Sequence, residues 1–413
     1  MRLHRRTLMA ATLATFTLPG LAMAQDDTIK IGLLATFEGA FTVLGEDSER
    51  GAMVALSEAG GMAGGKKIEV IKGSSDASPD SAVRAARKLV EQDGVSILVG
   101  PLSGDEGIAV KNYALSQPDV TFINGSSAAQ DTTFRDPAPN FFRFSTDGAQ
   151  WMAGLGTYAY NEKGYQNVAV VAEDYSFPYT QVFGFMAEFC QAGGKVTSKS
   201  WVPIGNKDYS SVIAAIPDDV DAIYVALGGA DAVNFLSQFQ QAGGEAPLIG
   251  GSITVDQTVL TSKGRLKDVL IGTPAAGPIA DTNDAPEWVA FVEAYKETDG
   301  AFPSPSLFAH AYYIGMKAAI LALNEVDGDM SNPAAYRAAL SALSFETPTG
   351  MVSLDENRNA IADMYLTEVT EDADGNLVNK LIQVTSQVNQ TLGIDKEEFM
   401  ALGAVSRENP SCE

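Results

Sequence analysis

Residues 96–128 read SILVGPLSGDEGIAVKNYALSQPDVTFINGSSA, and this stretch decides the fold. Two short β-rich runs, 96–99 and 121–123, carry no charge, as strands buried on both faces of a parallel sheet should. A helix-like segment separates them. Each run ends in small residues: Gly100, Ser103 and Gly104 after the first, Gly125, Ser126 and Ser127 after the second. Backbone N–H groups of such residues can approach a ligand closely. In open α/β sheets ligands lie beyond the carboxyl ends of the strands, so the two loops make half of a small-molecule pocket. The rest of the chain has to supply the other half.

On the N-terminal side the alternation continues. Residues 28–35 (TIKIGLLA) form a strand, 37–45 a Gly-bracketed loop, and 46–59 a helix with Ala52, Met53, Leu56 and Ala59 on one face. A strand follows at 67–71, and Ser78-Pro79-Asp80 opens a helix with proline in its first turn. Downstream, 141–147 (FFRFSTD) is extended, and the alternation then restarts. Helices are expected at 151–161, 179–192, 210–216 and 232–242; strands or extended segments at 168–172, 195–203, 222–227 and 247–250. QAGG ends two of these helices, at 191–194 and 241–244, where glycine takes the left-handed conformation.

Residues 269–276 lead out to helices at 287–297, 307–323 and 334–343, the second apolar nearly all round. Extended segments follow at 349–354, 364–370 and 377–385, the last two flanking an acidic turn at 372–375. The pattern predicts an α/β protein of two Rossmann-like lobes, with parallel strands and right-handed crossovers. The first lobe takes 25–146 and 275–350, the second 147–274 and 351–390, and 391–413 is a C-terminal tail. Several crossing strands between lobes imply a cleft and hinge closure.

Residues 1–24 are read separately. Arg2, Arg5 and Arg6 precede a largely apolar 8–18 and the small-x-small site Ala22-Met23-Ala24, the form of a secretory signal that leaves Gln25 as the first mature residue. Arg5-Arg6 leaves twin-arginine export open beside the general route. No cysteine follows the cleavage site, so no lipid anchor is expected, and no later stretch reaches the ~18 apolar residues of a membrane span. The expected product is exported and soluble. Its formal charge is −24; the leader carries three arginines and no acid, which takes the mature chain to −27. An acidic surface repels nucleic acid and anionic lipid. Cys190 and Cys412 are the only cysteines, and in an oxidising compartment either a bridge or two thiols is open.

The usual catalytic signatures are missing. Gly60, Gly65 and Lys66 have phosphate-loop spacing, but Lys67 stands where Ser or Thr must hold magnesium, and a strand follows in place of a helix. No G-x-G-x-x-G follows a strand and no G-x-S-x-G elbow occurs. His310, the one histidine past the leader, sits in the apolar helix and reads as a packed residue. One histidine and two separated cysteines assemble neither a histidine-based triad nor a zinc site. No cofactor is expected.

Four stretches together carry a resemblance: IKIGLLATFEGAF, SPDSAVRAARKLVEQDGVSILVGPLS, FFRFSTDGAQ and VAVVAEDYSFPYTQVFGFMAEFCQAGGKV. In order and spacing the chain from 28 to about 385 resembles the type I, leucine-binding-like periplasmic proteins of ABC importers for branched-chain amino acids and related carboxylates. The resemblance implies a three-segment hinge, a monomer, a periplasmic location and an inner-membrane ABC permease as partner. It places the ligand carboxylate at Ser103, Gly104 and Asp105 and at Ser126, Ser127 and Ala128. Closure from the second lobe falls to Tyr175, Phe177 and the 228–231 loop with Gly229 and Asp231. Tight turns that need glycine and serine are the plainer reading of each loop taken singly.

One departure bears on the ligand. Family members that bind α-amino acids pair the ammonium with an acidic residue where this chain has Ser252, and an unpaired buried ammonium is costly. Asp231 or Asp174 is a possible substitute. Together with Phe37, Phe41, Tyr175 and Phe177, this points to an aromatic or phenylpropenoid carboxylate without an amine, and the motifs are similar to the branch that binds lignin-derived acids. A hydrophobic amino acid is the alternative within the class; a sensor-input protein and a periplasmic hydrolase are the alternatives outside it.

Overall fold

The computed structural model describes residues 28–262 and 266–412. The expected leader and its cleavage at Gln25 lie outside them. The first sheet has six strands: β1 (Thr28–Thr36), β2 (Met62–Ala63), β3 (Lys66–Ser75), β4 (Ile97–Val99), β5 (Thr121–Ile123) and β6 (Phe141–Phe142), in the order β2-β3-β1-β4-β5-β6. All neighbours are parallel except β2 with β3. Helices α1 (Thr42–Glu58), α2 (Pro79–Arg87) and α3 (Gly104–Ala114) form the crossovers. The two strands of the deciding stretch are neighbours, Val99 opposite Ile123. Their side chains alternate between two cores: Ile97, Val99 and Ile123 in one, Leu98 and Phe122 in the other. Both faces are covered, as uncharged strands in a parallel sheet require.

Beyond the crossing at 143–147 come α4 (Gly148–Trp151), α5 (Leu155–Asn161), β7 (Asn167–Glu173), α6 (Ser176–Gln191), β8 (Lys195–Val202), α7 (Ser210–Ala214), β9 (Ala222–Ala226), α8 (Gly229–Gln241), β10 (Leu248–Gly250), α9 (Gln257–Leu260), α10 (Lys267–Leu270) and β11 (Pro274–Gly277). Helices α11 (Pro286–Lys296), α12 (Leu307–Glu325) and α13 (Pro333–Ala342) then return to the first lobe, where α12 packs along α1. The chain closes with β12 (Ser344–Thr347), β13 (Gly350–Leu354), β14 (Ala360–Glu371), β15 (Leu377–Val388) and α14 (Lys396–Ala401). The second sheet runs β12-β13-β14-β11-β10-β9-β7-β8, with β15 on β14. Strands β7 to β11 are parallel; the β14–β15 hairpin is antiparallel. The expected α/β architecture of two lobes is present. Strand β11 stays in the second sheet to Gly277, so the chain leaves that lobe after it.

The crossings are tied by a buried arginine. Arg143, on the first crossing, bridges to Asn359 on the third through the backbone, and its Nε donates to Asn359 Oδ1 at 2.6 Å. Its Nη1 donates to the carbonyl of Ala129 at 2.6 Å, and Asp147 lies 3.7 Å from Nη2. Burial pulls the guanidinium down to about 10, which leaves it charged at neutral pH. The hinge therefore holds the loop after β5 directly.

Several element bounds differ from the sequence expectation. Helix α1 begins at Thr42, so the 37–45 loop is shorter than expected. Residues 151–161 form two helices broken at Gly154, which has φ +88°. Helix α6 begins at Ser176, three residues earlier than expected, because Pro178 falls in its first turn, where no N–H is needed. The 349–354 strand is one arm of a hairpin with β12.

Candidate ligand-binding site

The loop after β4 is set by Gly100. Its φ is +137°, and a Cβ there would lie 2.2 Å from the carbonyl oxygen of Leu34, so only glycine fits. Ser103 then caps α3: its N–H donates to Glu106 Oε2 at 2.8 Å, and its hydroxyl donates to the carbonyl of Ala77 at 3.1 Å. The start of α3 faces the other lobe. A Cβ on Gly104 would lie 2.8 Å from the backbone nitrogen of Phe177, and Asp105 Oδ1 accepts the N–H of Ser176 at 3.0 Å. Two lobes meet at the N-terminus of one helix and the N-terminus of another, with almost no space between.

Behind this contact is a narrow pocket with about 10 Å³ of free space. The first lobe lines it with Phe41 and Leu44 from α1, Leu102, Ser103 and Gly104 before and at the start of α3, Ser126, and Phe308 from α12. The second lobe and the crossing add Trp151, Tyr175, Phe177 and Ile253. Five of the eleven are aromatic, and none carries an ionisable group other than the Tyr175 phenol. The rings stand in mutual contact: Phe177 lies edge-on to Trp151 at 5.5 Å between centroids, Tyr175 is 6.1 Å from Phe177, and Phe41 is 6.3 Å from Tyr175. Burial and the neighbouring carboxyls Glu173, Asp105 and Glu106 push the Tyr175 phenol up, so it stays protonated. Burial also raises Glu106, and raises Glu173 well above its usual range. Each of these carboxyls has one oxygen without a partner, Glu106 Oε1 and Glu173 Oε2.

The polar side of the cavity is the start of α3 together with the hydroxyls of Ser103 and Ser126. Helix N-termini favour anions through free N–H groups and the helix dipole. In this structure the two hydroxyls donate to the carbonyls of Ala77 and Leu102, so they serve an anion only by exchanging those bonds, whereas an ammonium finds no carboxylate among the lining residues.

Of the residues expected at the site, Ser103, Gly104, Ser126, Tyr175 and Phe177 line the cavity. Asp105 borders it as the link to Ser176. Ser127 and Ala128 turn away. The Ser127 hydroxyl lies where a Cβ on Gly107 would be, against α3, and the Ala128 carbonyl accepts the N–H of Gly148. Gly229, with φ +47°, packs on the 39–41 turn that precedes α1, where a Cβ would meet the Ala40 carbonyl at 3.1 Å. Asp231 points the other way, accepting the N–H of Gly205 at 2.6 Å. Ser252 Oγ accepts from Gln181 Nε2 at 2.6 Å and borders a neighbouring pocket with about 20 Å³ of free space. Asp174 is engaged by Arg407. Neither candidate substitute for the ammonium partner faces the cavity. Phe37 lies outside the wall, stacked under Lys72.

The sequence reading missed Leu44, Leu102, Trp151, Ile253 and Phe308. Phe308 sits on the helix read as apolar nearly all round and Trp151 on one expected only as a helix; the nearness of Trp151 to the first crossing was the one signal. His310 behaves as expected for a packed residue: it is paired with Thr349 Oγ1 at 2.9 Å, and burial pulls it down to about 3. Cys190 and Cys412 are joined, with Cα atoms 5.4 Å apart. Among the described residues no three His, Cys, Asp or Glu side chains converge as a metal site, and no helix is long and apolar enough to cross a membrane.

Comparison with known proteins agrees with this fold. A family model described as periplasmic binding protein matches residues 28–376. A Leu/Ile/Val-binding protein homolog 6 from Brucella melitensis is 26% identical over 382 residues, covering 92% of this chain and 96% of that protein. An ABC transporter substrate-binding protein from Sphaerobacter thermophilus superposes with a TM-score of 0.78 at 31% identity, over 88% of this chain and 99% of the other. A solute-binding protein of an ABC transporter from Rhodopseudomonas palustris BisB5, in complex with 3,4-dihydroxybenzoic acid, gives a TM-score of 0.81 at 26% identity over 88% and 99%.

Proposed function

This chain belongs to the periplasmic binding protein family and is a substrate-binding protein of the ABC-transporter type; from that premise we propose that its ligand is a small aromatic carboxylate, held between the lobes and released unchanged. The cavity wall carries the reading: five aromatic side chains enclose it, and its polar end offers serine hydroxyls and helix N-terminal amides with no countercharge for an amine. The carboxylate sits at Ser103, Gly104 and Ser126, with the ring against Tyr175, Phe177 and Trp151. Aromatic edge and face contacts of this kind add to apolar burial.

The free space between the lobes is only about 10 Å³, so the lobes must part for any ligand to enter, and the smaller single-ring acids are preferred over phenylpropenoid ones. The Rhodopseudomonas palustris protein that binds 3,4-dihydroxybenzoic acid supports the same class. Export through the N-terminal leader, action as a monomer and delivery to an inner-membrane permease complete the reading. No residue here performs chemistry on the ligand.

A hydrophobic amino acid is the second reading, favoured by the name of the Brucella relatives. It requires a partner for the ammonium, and Asp174, Asp231 and Ser252 are turned to Arg407, Gly205 and Gln181. Titration calorimetry on unliganded protein separates the two. Benzoate, 4-hydroxybenzoate and 3,4-dihydroxybenzoate are expected to bind one to one, more tightly than 4-hydroxycinnamate and at least about a hundredfold more tightly than leucine, a gap of ~3 kcal/mol. Leucine binding tighter than every aromatic acid overturns the assignment.

A further inference from the structure

The C-terminal tail lies beyond the region matched by the family model, which ends at 376. It nevertheless touches both lobes. On the first, Arg135 Nη2 donates to the carbonyl of Gly403 at 2.8 Å. Phe399, on α14, inserts edge-on between Phe134 of the first lobe at 5.3 Å and Phe183 of the second at 5.5 Å. On the second lobe, Lys199 Nζ donates to the carbonyls of Glu408 and Pro410 at 3.0 and 2.9 Å, and Cys412 is bonded to Cys190 near the end of α6. The tail is thus a strap anchored at both ends.

Between those anchors Arg407 reaches the carboxylate of Asp174. Its Nε donates to Asp174 Oδ1 at 2.7 Å, its Nη2 bonds Oδ2, and the Tyr179 hydroxyl bonds the same carboxylate. Asp174 is the residue before Tyr175, and the turn it opens supplies both Tyr175 and Phe177 to the cavity wall. The Asp174 N–H is held to the carbonyl of Val202 at 2.7 Å. From the first lobe the Asp105 carboxylate holds the Ser176 N–H at 3.0 Å; from its own side the turn is held through Asp174 by Arg407 and Tyr179, and the guanidinium forms a two-pronged clamp of the kind that fixes geometry as well as charge.

We propose that Arg407, carried on the disulfide-anchored tail, is a positioning residue for the ligand cavity: it fixes the 174–177 turn through Asp174 and so sets where Tyr175 and Phe177 stand. Its effect on affinity rests on the ligand reading given above; its effect on the turn does not.

The test compares wild type, Arg407→Ala, Arg407→Lys and the double variant Cys190→Ser/Cys412→Ser. Amide hydrogen exchange of the ligand-free proteins reads local opening. Exchange at 174–178 is expected to rise about fivefold in Arg407→Ala, the scale of a partly exposed ion pair. It should rise at least as much in the cysteine variant and by an intermediate amount in Arg407→Lys, which keeps the charge but not the two-pronged contact, while β9 is unchanged in all four. Calorimetry with 4-hydroxybenzoate is expected to show a parallel loss of affinity, only partly recovered by lysine. Unchanged exchange at 174–178 in Arg407→Ala overturns the proposal, and so does a rise that extends equally to β9. Failure of wild type to bind 4-hydroxybenzoate overturns the ligand reading instead, and the exchange data still decide the role of Arg407.

Discussion

Gly104 is a residue at which the two lobes come close together, and its missing side chain is what permits the approach. A Cβ there would lie 2.7 Å from Ser176 Oγ, 2.8 Å from the Phe177 nitrogen and 2.9 Å from the Phe177 Cβ. One of these is backbone, so the contact cannot be relieved by a rotamer change. Gly104→Ala is accordingly expected to hinder closure without disturbing either lobe: overpacking by one methyl costs about 1–3 kcal/mol, and the cost falls on the closed form alone. Calorimetry should show the affinity for 4-hydroxybenzoate down by about tenfold or more, with the melting temperature of the free protein within a degree or so of wild type. Wild-type affinity in this variant would mean that closure does not bring Gly104 against Phe177. Ser127 is a different case. It belongs to the same run of small residues as Ser126, but its hydroxyl packs on α3 and has no part in the wall. Adjacent serines at a strand end point in different directions, and only one of them faces the gap.

At the scale of elements, α12 shows how the lobes are coupled away from the ligand. Its N-terminus accepts help from both sides: Asp47 of α1 takes the N–H of Ser306 at 3.2 Å, and Asp256, from the second lobe, takes the N–H of Leu307 at 2.8 Å. Burial pushes the Asp256 carboxyl up to about 7, with nearby Asp47 adding to the rise. The unfolded chain loses this proton near the ordinary value of ~3.9, so between about pH 4 and 7 the folded state binds more protons than the unfolded one. Stability from this group is full below pH ~4 and is lost as pH rises to about 7. Thermal melts of wild type and Asp256→Asn across that range should therefore diverge, wild type losing ground to the variant as pH rises, by an amount on the order of several degrees. Parallel curves would show that Asp256 titrates as an exposed acid. The sequence displayed the elements far better than it displayed such couplings. Strands β4 and β5 were legible because uncharged apolar runs with glycine at their ends have few other uses. The start of α6 was not, because Pro178 looks like a boundary when read alone and is tolerated in a first turn. Trp151 and Phe308 were hidden by their helices: burial in a core and exposure to a ligand cavity demand the same side chains. Arg143 was equally invisible as a hinge residue, since the acceptors that satisfy it, Asn359 and the Ala129 carbonyl, come from other segments of the chain.

For the whole molecule, two sheets covered on both faces present the ends of their strands to one another, and the space left between them is small, aromatic and free of ionised side chains. Its closed walls come from both lobes, so a ligand that fills it also bridges them, and hinge closure becomes part of binding. The tail adds a second bridge on the side of α6, reaching from Arg135 to Cys190. The most direct measurement is the electron density of crystals grown with 4-hydroxybenzoate. A single molecule is expected between the lobes, its carboxylate within about 2.7–3.2 Å of donors at Ser103, Gly104 or Ser126 and its ring against Tyr175 and Phe177. Density for the acid at any other place, with this cavity empty, would contradict the account.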